Sequence, residues 1–113
     1  MEAVMREKLL QVVAESDRLS REMGTQEVAS NPNAYRERAQ AQALTAGVVT
    51  CFRSYLEAEQ GLSEAEEMLR EEKDADMRQM AEEEKSTLSA ALEQLEGELK
   101  VLLLPQDPND AKN

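Results

Sequence analysis

The sequence predicts an all-α fold, an antiparallel three-helix bundle built around a long coiled-coil-like hairpin, and three observations carry that prediction. Glycine (4) and proline (3) are scarce among the 113 residues. Ala, Glu, Leu, Gln, Lys, Arg and Met dominate instead, the residues that lose least on entering a helix. Apolar residues recur at alternating steps of three and four, a spacing that keeps them on one stripe of a helix and would scatter them over both faces of a strand. With no Trp, one Phe and two Tyr, the core must be aliphatic and thin, which a chain of this size manages along helix seams.

The first helix is predicted over residues 2–23 on the stripe Met5, Leu9, Val12, Ser16, Leu19 and Met23, ending at Gly24 as its C-cap. A turn-like stretch, 25–31, leads to Asn31-Pro32, which reads as an N-cap followed by proline at the first helical position, where its missing N–H costs nothing. A second helix is predicted from there to residue 72, with the seam Val48, Cys51, Tyr55, Ala58, Leu62, Ala65 and Leu69, widened by Phe52 and Leu56. Gly47 and Gly61 interrupt it, each at a cost of up to about 1 kcal/mol against Ala, so either position is a place for a bend.

The phase breaks over residues 72–74, where Asp74 makes a good N-cap and Asp76 falls in the first turn, favoured there by the helix dipole. A third helix follows over 75–103, on Met77, Ala81, Glu84, Leu88, Leu92, Leu95, Leu99 and Leu102, and stops before Pro105. Helices this long need a partner along the seam, and the short break makes the second and third an antiparallel hairpin whose groove the first helix partly covers. The three predicted helices and their connections thus occupy residues 1–104.

The formal charge is −11, from 24 acidic and 13 basic residues. It is unevenly placed: residues 1–56 hold seven acids and seven bases, residues 57–113 hold 17 acids and six bases. The stretch 57–84 alone carries 12 acids against Arg70, Lys73 and Arg78, so the hairpin turn lies inside the acidic zone. A basic phosphate-backbone or sequence-specific nucleic-acid binder is disfavoured. Pairs in acid-then-base order four apart (Glu2 and Arg6, Asp17 and Arg21, Glu66 and Arg70, Asp74 and Arg78, Glu96 and Lys100) mark outward faces.

No enzyme chemistry is legible. Carboxylate metal sites in helical bundles need an inward Glu-x-x-His, and the chain has no His. Glu82, Glu83 and Glu84 are consecutive, so on a helix they point in different directions and read as a solvated face. Cys51, the single cysteine, has no base beside it, occupies a seam position as a small hydrophobe, and suits a reducing compartment. The glycines are too dispersed to cradle a phosphate. Met5, Met23, Met68, Met77 and Met80 fall at helical spacing and are expected to fill core space, the alternative being an adaptable docking surface. No signal peptide is visible and no apolar run approaches a membrane span. Neither a cofactor nor a metal is expected.

The tail Leu102-Leu103-Leu104-Pro105-Gln106-Asp107-Pro108-Asn109-Asp110-Ala111-Lys112-Asn113 resembles a stretch of the class I peptide chain release factors of bacteria and organelles, the UAG/UAA type, where it joins the N-terminal helical domain to the next. The segment Glu27-Val28-Ala29-Ser30-Asn31-Pro32-Asn33-Ala34-Tyr35-Arg36 is similar to the family's connection between its first two helices, and residues 64–95, with Met80-Ala81-Glu82-Glu83-Glu84, to its acidic hairpin. The resemblance covers essentially the whole chain. It departs at Asp74-Ala75, where the family often has Asp-Pro, and over residues 47–55. A complete factor carries a Gly-Gly-Gln loop for peptidyl-tRNA hydrolysis and a Pro-x-Thr tripeptide that reads the stop codon; this sequence has no adjacent glycines, and Pro32, Pro105 and Pro108 begin no such tripeptide.

The resemblance implies that residues 1–104 are the family's N-terminal helical domain and 105–113 a linker to a downstream domain. It implies an accessory ribosome-binding domain with no release activity alone, lying in the family towards the stalk base and GTPase-associated region of the large subunit. Its compartment would be the bacterial cytoplasm, or an organelle matrix or stroma. An acidic end suits a basic ribosomal protein better than bare RNA. The residues expected to meet it are Glu64, Glu67, Glu71, Glu72, Asp74, Asp76, Glu82 and Glu83. The rival expectation is a self-standing helical adaptor that forms a homodimer through its seams.

Overall fold

The structure, a computed structural model, describes residues 1–104, so the linker expected over 105–113 lies outside the described residues. Among these residues the fold is all-α, as composition and periodicity predict. Its helices are α1 (Ala3–Met23), α2 (Gln26–Ala29), α3 (Pro32–Leu44), α4 (Ala46–Glu71) and α5 (Ala75–Leu102). The chain divides into two compact units, Met1–Phe52 and Arg53–Asn113, with the division inside α4.

In the first unit α1 follows the expected stripe: Leu9 and Leu19 are buried and Met5, Val12 and Met23 half-buried. Ser16 is buried too, and α3 explains why a serine belongs in an apolar stripe. The Gln42 side-chain amide donates to the Ser16 carbonyl oxygen at 3.0 Å and to Ser20 Oγ at 2.6 Å, so α3 is tied to α1 by polar contacts. One turn earlier Arg38 Nε donates to Glu22 Oε1 at 2.9 Å across the same interface. Glu22 is in turn bonded, with Glu15, to Arg18 on α1. The half-buried residues of α3 are Ala34, Arg38, Ala39 and Gln42, an inward face of small and long polar side chains with no buried residue.

Gly24 caps α1 in right-handed conformation (φ −82°, ψ −9°), its N–H shared between the Ser20 and Arg21 carbonyls at 3.2 Å. The stretch expected to be a turn contains the single-turn helix α2. Thr25 caps it, with Oγ1 donating to the Glu22 carbonyl at 2.7 Å and accepting from Val28 N–H at 3.4 Å, which brings Val28 into the core. Asn31 caps α3 as expected, Oδ1 accepting from Asn33 and Ala34 N–H at 3.2 Å, with Pro32 at the first helical position.

The helix expected over 32–72 is two helices. Thr45 leaves helical space at φ −113°, ψ 7°; its N–H bonds back to the Gln42 carbonyl at 3.2 Å and its own carbonyl accepts from Val49 N–H at 2.9 Å, so it closes α3 and opens α4. Its hydroxyl also reaches the Gln42 carbonyl, at 3.5 Å, the local competition by which threonine favours helix ends. Gly47 and Gly61 both lie inside α4, which runs unbroken through them. The buried stripe in early α4 is also one residue from the expected one: Val49 and Phe52 are buried, Val48 and Cys51 half-buried. Phe52 takes the innermost place, fully buried, as the larger side chain gains more from leaving water.

In the second unit α4 and α5 form an antiparallel hairpin. Its seam is lined with small residues: Ala58, Ala65 and Ala81 are buried, and a Cβ placed on Gly61 would lie 3.0 Å from Leu88 Cδ1. Gly61 therefore allows close approach rather than a bend. On α5 the stripe runs Ala81, Lys85, Leu88, Leu92, Leu95 and Leu99, with Leu99 fully buried. Glu84, expected on it, is exposed and Lys85 half-buried. The steps of four and three survive the exchange, because four methylenes let a lysine cover apolar surface with its ammonium in water, whereas a glutamate has only two.

Candidate functional site: the acidic hairpin end

The turn between α4 and α5 is built by its charged side chains. Glu72 Oε1 accepts from the N–H groups of Lys73 and Asp74, both at 3.0 Å, and Asp74 Oδ1 accepts from Asp76 N–H at 3.0 Å, capping α5. From the other side the Arg78 guanidinium donates to the carbonyls of Leu69 and of Glu72, the latter at 3.0 Å. The last carbonyls of α4 and the first N–H groups of α5 would otherwise be without helical partners. Asp74 and Arg78, read from sequence as a surface pair, each serve the backbone here.

The eight acids singled out by sequence thus separate by what they do. Glu72 and Asp74 hold the turn. Glu64, Glu67, Glu71 and Glu72, with Met68, line a shallow depression of about 310 Å³ on α4. Asp76 is exposed in the first turn of α5, beside the positive end of its dipole. Glu82 and Glu83 are exposed further along α5 and belong to no depression with the others. Glu64 and Glu83 take side-chain amides from Gln60 (3.2 Å) and Gln79 (3.4 Å), one helical turn away on their own helices.

The methionines correct another expectation. Met5 and Met23 are half-buried, but Met68, Met77 and Met80 are 40%, 39% and 65% exposed, all at the hairpin end. The signal was in the register. Met68 and Met80 each stand one residue before a seam position, Leu69 and Ala81, hence about 100° round the helix from it. Among the described residues no three cysteine or acidic side chains converge to hold a metal ion, and no helix is long and apolar enough to cross a membrane.

Residues 12–113 match the model of the PCRF domain. The chain belongs to the PCRF domain family. It is 40% identical over 109 residues to a protein of Acidobacterium capsulatum named peptide chain release factor 1, an alignment covering 96% of this chain and 30% of that protein. It is 38% identical to the protein of that name from Bacillus licheniformis (96% of this chain, 31% of the relative) and 44% identical over 86 residues to that from Enterococcus faecalis (76% and 24%). This PCRF domain chain spans about a third of the length of such relatives. No solved structure matches it significantly.

Proposed function

We propose that this PCRF domain is the accessory, ribosome-contacting region of a translation termination factor and promotes no peptide release by itself. The observation that carries the proposal is the family match over residues 12–113, with relatives that bear the name of a release factor. The Gly-Gly-Gln and Pro-x-Thr elements to which the resemblance assigns hydrolysis and codon reading are not among these 113 residues. What the chain does carry is a helical body and one acidic end. Twelve acids against three bases over residues 57–84 repel phosphate and attract a lysine- and arginine-rich protein surface. The partner is accordingly a basic ribosomal protein in the stalk-base region of the large subunit, and the working compartment is that of bacterial-type ribosomes: bacterial cytoplasm, or organelle matrix or stroma.

Two measurements test this. In a release assay the isolated chain is expected to give no stop-codon-dependent hydrolysis of peptidyl-tRNA; activity above background overturns the accessory role. In a binding assay with purified large subunits, the combined reversal Glu64→Lys, Glu67→Lys, Glu71→Lys and Glu82→Lys is expected to weaken association and flatten its salt dependence. An unchanged affinity removes the acidic end from the contact.

A further inference from the structure

We infer that the hairpin end binds through methionine as well as charge, and that its partner surface presents an aliphatic or aromatic side chain flanked by lysine or arginine. The inference rests on the ribosome-contacting role proposed above and specifies that contact. Three large apolar side chains, Met68, Met77 and Met80, are exposed by 40%, 39% and 65% in the most highly charged part of the molecule. A solvated acidic hairpin needs none of them: at an exposed helical position Gln or Lys has similar helix propensity. Met68 lies within the depression whose other lining residues are Glu64, Glu67, Glu71 and Glu72. An apolar group entering there meets a thioether surrounded by carboxylates. Met77 and Met80 lie three residues apart on α5, hence on one side of it.

The charge complementarity selects the occupant. The carboxylates exclude an anionic phosphate backbone and favour cations, and the unbranched, polarizable methionine side chain adapts to an irregular apolar surface. The two components divide the kinetics. Acids act at a distance and govern encounter, whereas contacts made only on docking govern residence.

The test is stopped-flow or surface-binding kinetics of the 113-residue chain with purified bacterial large ribosomal subunits. The triple substitution Met68→Gln, Met77→Gln and Met80→Gln keeps side-chain length and helix propensity and removes the thioethers. It is expected to raise the dissociation rate roughly tenfold, leaving the association rate and its salt dependence nearly unchanged. The corresponding triple Met→Leu chain is expected to keep slow dissociation, and circular dichroism to report equal helicity for all three. If the charge reversals slow association while Met→Gln leaves dissociation unchanged, the methionine contact is refuted and the acidic contact stands. If the unsubstituted chain does not bind large subunits, both fail. Equal binding to protein-depleted large-subunit RNA overturns the choice of a protein partner.

Discussion

Gly61 is the position at which the hairpin's geometry can be tested by adding one carbon. Alanine in a helix interior is favoured over glycine by about 0.8–1.0 kcal/mol, and Gly97, in α5 with nothing within 4 Å of the place an added methyl would take, should return that gain in full. For a domain of this size about 1 kcal/mol corresponds to a rise of roughly 4 °C in melting temperature. Gly61→Ala has the same propensity gain but sets its methyl 3.0 Å from Leu88 Cδ1. Overpacking costs about 1–3 kcal/mol. The lower end applies because the opposing atom is the tip of a flexible side chain. The two contributions then nearly cancel, and Gly61→Ala should melt within a degree or two of the parent while Gly97→Ala melts about 4 °C higher. A double-mutant cycle isolates the contact: in a Leu88→Ala background, Gly61→Ala should recover its gain of about 1 kcal/mol. The measurement is thermal or urea unfolding followed by circular dichroism. If Gly61→Ala stabilises the parent as much as Gly97→Ala does, Gly61 is not where α4 and α5 approach closely, and the proposed reason for glycine there is wrong.

Three further expectations concern the first unit. Gln42→Leu removes the donors to the Ser16 carbonyl and Ser20 Oγ and should cost about 1–2 kcal/mol in urea unfolding, with the larger part arising from the buried serine left facing an apolar side chain. Asn31→Ala removes the acceptor for the Asn33 and Ala34 N–H groups and should cost about 1 kcal/mol, whereas Asn31→Asp should be near neutral. Glu15 is held below the ordinary carboxylate range chiefly by its hydrogen bond to Arg18, with desolvation opposing the shift and the attraction of the Arg18 charge adding to it. With the folded value depressed, its contribution is present above the unfolded value and fades as pH falls through the folded one. NMR titration of the Glu15 carboxyl should report this, and Arg18→Gln should move the midpoint upward.

Much of this fold was legible because its signals are local. The periodicity of α1 and α5, the Asn31-Pro32 start and the Asp74 cap each depend on residues within a few positions of one another. The largest miss, the end of α3, depends on partners distant in sequence. The break at Thr45 was hidden because α3 turns inward a face of Ala34, Arg38, Ala39 and Gln42, which has no apolar stripe to lose phase. Its fit to α1 rests on Gln42 with Ser16 and Arg38 with Glu22, pairings 26 and 16 residues apart. Glu84 and Lys85 were exchanged because a step of three or four fits either, and only the reach of the side chain decides between them. At the candidate site the acidity was plain from composition. The exposure of Met68 and Met80 was recoverable from their offset against the seam, which favours the docking alternative over core filling at these two positions.

The division of labour among the acids also decides how the candidate site can be probed. Glu72 and Asp74 accept backbone N–H bonds that close the turn and start α5. Replacing Asp74 by lysine removes a cap worth about 1 kcal/mol and places a cation at the positive end of the α5 dipole, and replacing Glu72 removes the acceptor of two turn N–H groups. Lost binding in such a variant would report a distorted hairpin as readily as a lost contact. Glu64, Glu67 and Glu71 share the depression without holding the turn. They span seven residues of α4, roughly 10 Å at 1.5 Å per residue. That is comparable to the Debye length of about 8 Å at physiological ionic strength, so an approaching cation feels their fields together and salt weakens them together. Steering by this end is therefore a collective property: one reversal should change the salt slope little, and reversing the three while Glu72 and Asp74 stay in place separates the field of the tip from the structure that carries it.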